Sequence, residues 1–419
     1  MALTNPSALG ALPGLTTDDL SWGWPFGRVP DLPSHSAQPA DSDRRPPGGS
    51  ARAWLESRFR ELLTSRRVVI TFSGGRDSST VLALALHVAR AEGLEEPVAL
   101  TLRMPGHPDA HEDEWQDLVI THLGVSNWER VLVEGDEADV LGPYGREVLI
   151  AAGQPVFPFG SVVSGIEAER ASGCYLVTGE FGDWVLGAQR LALVNAIVSR
   201  RGRAHPRVWS AALKELAPSM VRTLRSRDPA PAWLQPAQRR RWDRAGRDET
   251  RSAPLRWDTC LRDYSSHRAY RLGRVGLRAS AAAYGADRVD PLGERPFLET
   301  LAGDAGRRGY LGRADVIRQL AGDLLPEALI TRRTKATFNT SRFGPRTREW
   351  ATGWCGEGVD IQAVDPSTLR DEWLSAVPSA ASLGLLQQAW LATRADIPQM
   401  TDPPAGRSAF PGPAAPPHL

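Results

Sequence analysis

Lysine is nearly absent from this 419-residue chain: Lys214 and Lys335 are the only two among 50 cationic residues, and arginine supplies the rest. A compact ammonium, with a hydration and geometry that a guanidinium does not share, is therefore available at two positions only. Cysteine is scarce as well. Cys174, Cys260 and Cys355 lie far apart with no C-x-x-C spacing, which excludes a disulfide framework and a zinc site and fits a reducing cytoplasm. Neither sign of charge is in excess, with 50 Lys+Arg against 49 Asp+Glu. That balance excludes a basic nucleic-acid binder or an acidic solvating chain as the main identity. The longest apolar runs, near residues 81–89 and 191–198, fall well short of the about 20 residues that span a bilayer. The N-terminus shows no basic start followed by an apolar core. The expectation is a cytoplasmic protein with neither nucleic acid nor membrane as partner.

The chain does have enough apolar material for a sizeable core, at 42% hydrophobic residues. Residues 1–50 are rich in Pro, Gly, Ser and Asp and read as a flexible lead-in. Residues 401–419 read as a disordered tail on the same grounds. Between them, from residue 51 to about 400, lies one large domain. AWLESRFRELLTS is periodic as a helix, and RRVVITF (66–72) is a short β-branched run suited to a buried parallel strand. PVALTLR (97–103), ERVLVE (129–134) and CYLVTG (174–179) are three further strands, with helical segments between them, including one from about Glu137 to Ala152. Strand and helix alternate over about 66–190, which predicts an α/β, doubly wound parallel sheet with ligands at the strand carboxyl ends. From about 191 to 400 strand-like runs almost vanish, and a mostly helical half is expected to pack on the sheet. The charge run RRRWDRAGRDETR (239–251) reads as a solvated loop or helix face.

SGGRDSS (73–79) sits between the first strand and the next helix. Gly74 and Gly75 allow a tight turn whose N–H groups converge, Ser73, Ser78 and Ser79 add hydroxyl donors, and the helix dipole behind them favours an anion. Asp77 would repel a phosphate. A bridging Mg²⁺ resolves that conflict, because a hard dication takes carboxylate and phosphate oxygens together. A second polar loop, TGEFGDWVLG (178–187), follows the fourth strand. HEDEWQ (111–116) reads as a solvated helix start, with metal binding by His107, His111 and Glu112 as the weaker alternative.

SGGRDSS resembles the PP-loop, S-G-G-x-D-S-S, of ATP pyrophosphatases. Three further segments resemble asparagine synthetase-like domains of that superfamily, and together the likeness spans about residues 55–395. TGEFGDWVLG is similar to S-G-E-G-x-D-E-x-F-G-G, with Phe181 in place of a glycine and Trp184 in place of the second acid. LPEALITRRTKATFN (325–339) is similar to L-P-x-x-[IV]-x-x-R-x-K-x-x-F. GADRVDPLGERPFLE (285–299) is a weaker match, with Pro291, Phe297 and Leu298 in step; it supports the fold, with a packing role expected at least as much as a catalytic one. The resemblance implies ATP and Mg²⁺ as cofactors, with Asp77 and Asp183 as metal ligands. It implies Glu180 as the acid/base group, Lys335 as the lysine that follows charge onto the phosphates, and Arg332 or Arg333 as a phosphate clamp.

The chemistry so implied is adenylation of a carboxylate with release of pyrophosphate, followed by attack of an amine. About 50 residues precede the resemblance and no cysteine precedes Cys174, so no glutaminase part is expected. The amine is then carried by a small-molecule or peptide substrate, or is ammonia delivered by a partner protein. Lasso-peptide-type macrolactam cyclases and other tailoring amide synthetases fit this pattern best. Glu180, where β-lactam synthetases carry a tyrosine, counts against that branch. An ammonia-dependent asparagine synthetase-like enzyme is the alternative, and a PP-loop tRNA-modifying enzyme a more distant one.

Overall fold

The computed structural model describes residues 3–29, 49–107, 112–187, 191–199, 205–217, 229–332, 334 and 340–394. Its centre is a five-stranded, all-parallel sheet of β1 (Val68–Thr71), β2 (Val98–Arg103), β3 (Trp128–Leu132), β4 (Tyr175–Val177) and β5 (Asp287–Val289), in the order β3-β2-β1-β4-β5. Val68 and Ile70 of β1 enter one hydrophobic core, while Val69 enters the other. Ala99 and Val177 join the first core, and Leu100 and Leu176 the second. Period-2 side-chain alternation thus feeds two buried faces, and for that reason these strands are continuous apolar runs.

One face is covered by α2 (Ala51–Ser65), α3 (Arg76–Glu92) and the helix Arg295–Ala305, whose Trp54, Phe59, Leu82 and Phe297 are fully buried. On the other face lie α5 (Pro143–Ala152), the helix Arg268–Ala283 and the helix Leu383–Thr393. β1 has β2 on one side and β4 on the other, so crossovers leave it in opposite directions. A crevice opens at such a switch point, and the loops after β1 and β4 meet in it.

Four features differ from the sequence reading. SGGRDSS is not a loop throughout, because α3 begins at Arg76 and takes Asp77, Ser78 and Ser79 into its first turn. The helix expected from Glu137 begins at Pro143, whose fixed φ suits a first helical turn. The helical half also contains a strand, β5, too short at three residues to show a period.

The largest difference concerns the lead-in. Residues 3–29 fold, with Leu9, Leu20 and Trp22 buried. α1 (Thr17–Trp22) opens on a reciprocal capping box: the Asp19 N–H donates to Thr16 Oγ1 at 3.2 Å, and the Thr16 N–H to Asp19 Oδ2 at 2.9 Å. Asp19 is fully buried and accepts two bonds from Arg268, at 2.7 and 2.8 Å. Gly23, at φ +70°, lies so close to Ala381 that a Cβ there would sit 2.2 Å from the Ala381 carbonyl oxygen. Residues 30–48 and the 401–419 tail lie outside the described residues.

Asp19→Ala removes a cap and leaves Arg268 without its carboxylate, a loss of roughly 2–3 kcal/mol. The expected result is a lower urea midpoint and new proteolytic cleavage within residues 10–29. An unchanged midpoint and cleavage pattern would show that the pair does not anchor this segment.

Candidate active site

The loop after β1 is held by its own hydroxyls. Ser73 Oγ and Ser78 Oγ lie 3.1 Å apart, the Ser78 hydroxyl donates to the Gly75 carbonyl at 3.1 Å, and the Gly75 N–H donates to Ser73 Oγ at 3.3 Å. Gly74 takes φ +81°, and a Cβ there would lie 2.8 Å from Gln116 Cγ. Ser73, Gly75, Asp77 and Ser78 line a cavity of about 830 Å³. Gly74 is buried away from it. So is Ser79, which is fully buried with its hydroxyl unpaired among the described residues, so the structure does not place it as an anion donor.

The loop after β4 closes directly on α3. A Cβ at Gly179 would lie 2.6 Å from the Ser78 nitrogen, and one at Gly182 would lie 2.4 Å from Asp77 Cγ. Only glycine allows that approach at either position. Between them Phe181 holds φ +67°, a left-handed conformation unfavourable for a bulky residue. Its ring packs edge-on to Tyr270 at 5.1 Å and fills the space that Gly293 leaves open.

The nested loops bring Asp77 and Asp183 to a single cation. Arg313, at the start of the helix Arg313–Ala321, donates from Nε to Asp77 Oδ1 at 3.2 Å, from Nη2 to Asp77 Oδ2, and from Nη1 to Asp183 Oδ1. Burial opposes the Arg313 charge, but the two carboxylates outweigh it and raise its pKa. Two carboxylates within reach of one cation are hard oxygen donors that fit Mg²⁺, which usually takes one or two carboxylates and completes its shell with phosphate and water. No group of three or more His, Cys, Asp and Glu side chains that could hold a metal occurs among the described residues.

Glu180 lines the cavity and is exposed to it. Desolvation by the protein around the cavity raises its pKa; Arg288 pulls it back, while Asp290, Asp183 and Glu167 reinforce the rise. Its backbone N–H donates to Thr178 Oγ1 at 3.0 Å. Thr178 in turn donates to the fully buried Asp290 at 2.6 Å, and Arg288 bonds both of them at 2.9 and 3.2 Å. The segment read as a packing match thus supplies β5 and an ionic brace beneath the Glu180 loop.

Arg332, expected as a phosphate clamp, lines the cavity with its guanidinium paired to Glu112. It is buried, donates to both oxygens of Glu112 (2.5 Å from Nη2 to Oε1) and to the Gly74 carbonyl at 3.3 Å, and lies over the Trp115 ring at 4.6 Å. Its charge is committed to holding the loop after β1. HEDEWQ is therefore no solvated helix start, since Glu112, the residue before α4 (Asp113–Leu123), is buried with its carboxylate on Arg332. His111, Arg333 and Lys335 lie outside the described residues.

Sequence reasoning missed Arg313, Arg288, Asp290, Glu167 and Arg342, all near or on the cavity wall. In so arginine-rich a chain no single arginine stands out. The R-V-D string before Pro291 was the one local signal for the brace.

Asp77→Asn and Asp183→Asn are each expected to lower Mg²⁺-dependent pyrophosphate release from ATP at least 100-fold with the fold intact by circular dichroism. Turnover near the wild-type rate in either variant would contradict the two-carboxylate site.

A search of curated proteins found no match. The sequence profile of the asparagine synthase family matches residues 53–391, a span that contains both carboxylate loops, the five strands and the brace. The chain belongs to the asparagine synthase family and is, at that level, an ATP-dependent amide-forming ligase.

Proposed function

We propose that this enzyme adenylates a carboxylate and joins it to an amine carried by a substrate or delivered by a partner protein, in the manner of a macrolactam-forming or tailoring amide synthetase. The observation that supports this reading is the convergence of Asp77, Asp183 and Glu180 on one cavity with two unlike halves. On one side Phe72, Leu100, Leu102 and Met104 offer apolar surface for a planar base beside the loop after β1. On the other, Trp24, Phe157, Phe159 and Trp184 line the cavity together with Glu180 and Glu167. The volume, about 830 Å³, is within the about 300–1,000 Å³ of small-molecule sites.

In the first step a carboxylate oxygen attacks the α-phosphorus of ATP, and the α–β bridging bond breaks to release pyrophosphate. Ser73, Ser78 and the backbone N–H groups of the loop hold the departing phosphates, with the N-terminus of α3 behind them. Mg²⁺, held by Asp77 and Asp183, would neutralise polyphosphate charge. Arg313 leaves the two carboxylates and pairs with phosphate oxygens, and Lys335 follows the same charge. In the second step the amine attacks the acyl carbon, AMP departs, and the amine proton passes to Glu180. A carboxyl whose pKa is raised toward neutrality is better matched to that task than an ordinary one.

The test incubates the protein with Mg–ATP, ammonium and a panel of carboxylic acids that includes aspartate, and assays AMP, ADP, pyrophosphate and asparagine. AMP and pyrophosphate without asparagine are expected. Asparagine as product would establish the ammonia-dependent synthetase instead, a reading that Glu180 also suits. ADP would overturn adenylation altogether. Because Glu180 acts as a base only when ionised, amide formation is expected to fall as pH drops through its raised pKa. That acid limb should lie above the about 4.3 of an ordinary glutamate. In Glu180→Gln the limb disappears and AMP is released uncoupled from amide. A limb retained in the variant would assign it to another group.

A further inference from the structure

The aromatic wall of the cavity is not built by the family-matched span alone. Trp22, Gly23 and Trp24 line the cavity and precede the match at residue 53. The Trp24 ring lies 5.3 Å from Trp184, at an interplanar angle of 49°, and 5.9 Å from Phe157 in an edge contact. Phe157 continues to Phe159 at 5.2 Å. Trp24 and Trp184 are half-buried, so ring surface is left to the cavity. Trp184 stands where the family motif has its second acid, so the chain has exchanged a charge for an indole at the mouth of the same wall.

The wall ends on a cation. Arg342 lines the cavity next to Gly160, where a Cβ would be 3.9 Å from its Nε. The Glu167 carboxylate is the only opposite charge acting on it among the described residues. Burial exceeds that support and lowers its pKa to about 10, so an anionic ligand group would relieve the cost of keeping it charged. Glu167 faces Arg288 as well as Arg342 and is divided between them.

We propose that this half of the cavity selects a ring-bearing carboxylic acid, its aromatic or large apolar group seated against Trp24, Phe157, Phe159 and Trp184. The segment around α1 is then a specificity element of the active site. This rests on the ligase reading above, and it excludes aspartate as the preferred acid, since a small dicarboxylate would leave the aromatic wall uncovered. An aromatic box with carboxylates nearby can also take an amine, and Arg342 decides for the acid.

The test measures binding by calorimetry to the full chain with Mg²⁺ and α,β-methylene-ATP, which blocks turnover. The probes are N-acetyl-L-phenylalanine, N-acetyl-L-alanine and phenethylamine. N-acetyl-L-phenylalanine is expected to bind at least tenfold more tightly than either of the others. Trp24→Leu is expected to reduce its preference over the alanine derivative to below threefold without changing nucleotide affinity. A ratio near one in the wild type, tighter binding of phenethylamine, no binding of any probe, or an unchanged ratio in Trp24→Leu would each overturn the proposal. Failure of the ligase reading appears separately, as ADP in the product assay. A ratio near one with AMP formed would remove the ring-binding inference alone.

Discussion

Arg313 between Asp77 and Asp183 is the interaction on which the site depends. Two carboxylates brought together by separate loops repel, and without a cation between them the loops after β1 and β4 could not nest as closely as Gly179 and Gly182 allow. The guanidinium satisfies both acids where the proposed chemistry calls for a dication. The arrangement is therefore preorganised for positive charge whether or not a nucleotide is present. Sheet topology sets the stage for it: β1 and β4 are neighbours that lead into opposite crossovers, so their carboxyl ends open into one crevice.

Two buried ionic braces keep that crevice in shape. Arg332 and Glu112 clamp the loop after β1 through the Gly74 carbonyl, and Arg288 and Asp290 hold Thr178 beneath Glu180. Pairs of this kind add little net stability over apolar packing, but breaking one is costly because the partner stays buried and charged. They fix geometry, and the α1 segment, tied by Asp19 to Arg268, does the same for the far wall.

Much of this was legible in the sequence. Four of the five strands, the parallel α/β class and the loop of Ser73, Asp77 and Ser78 follow from apolar runs punctuated by Gly, Ser and Asp, while Glu180 and Asp183 were singled out by the resemblance of their loop to the family motif. Ser79 lies on the buried side of α3, because a helix turning every 3.6 residues carries it there while Asp77 and Ser78 face the cavity. β5 was hidden by its length. Arg313 was hidden by long-range pairing, since its partners are 236 and 130 residues away. Residues 3–29 were hidden by composition: Pro and Gly mask an apolar Leu9, Leu20, Trp22, Trp24 series that only the Thr16–Asp19 capping box announces.

The central claim is that Asp77 and Asp183 form one cation site completed by a nucleotide. Electron paramagnetic resonance of Mn²⁺ with α,β-methylene-ATP tests it most directly, independent of turnover and of the acyl substrate. The account predicts nucleotide-dependent Mn²⁺ binding to the wild type, lost in both Asp77→Asn and Asp183→Asn. Undiminished Mn²⁺ binding in either variant would contradict it.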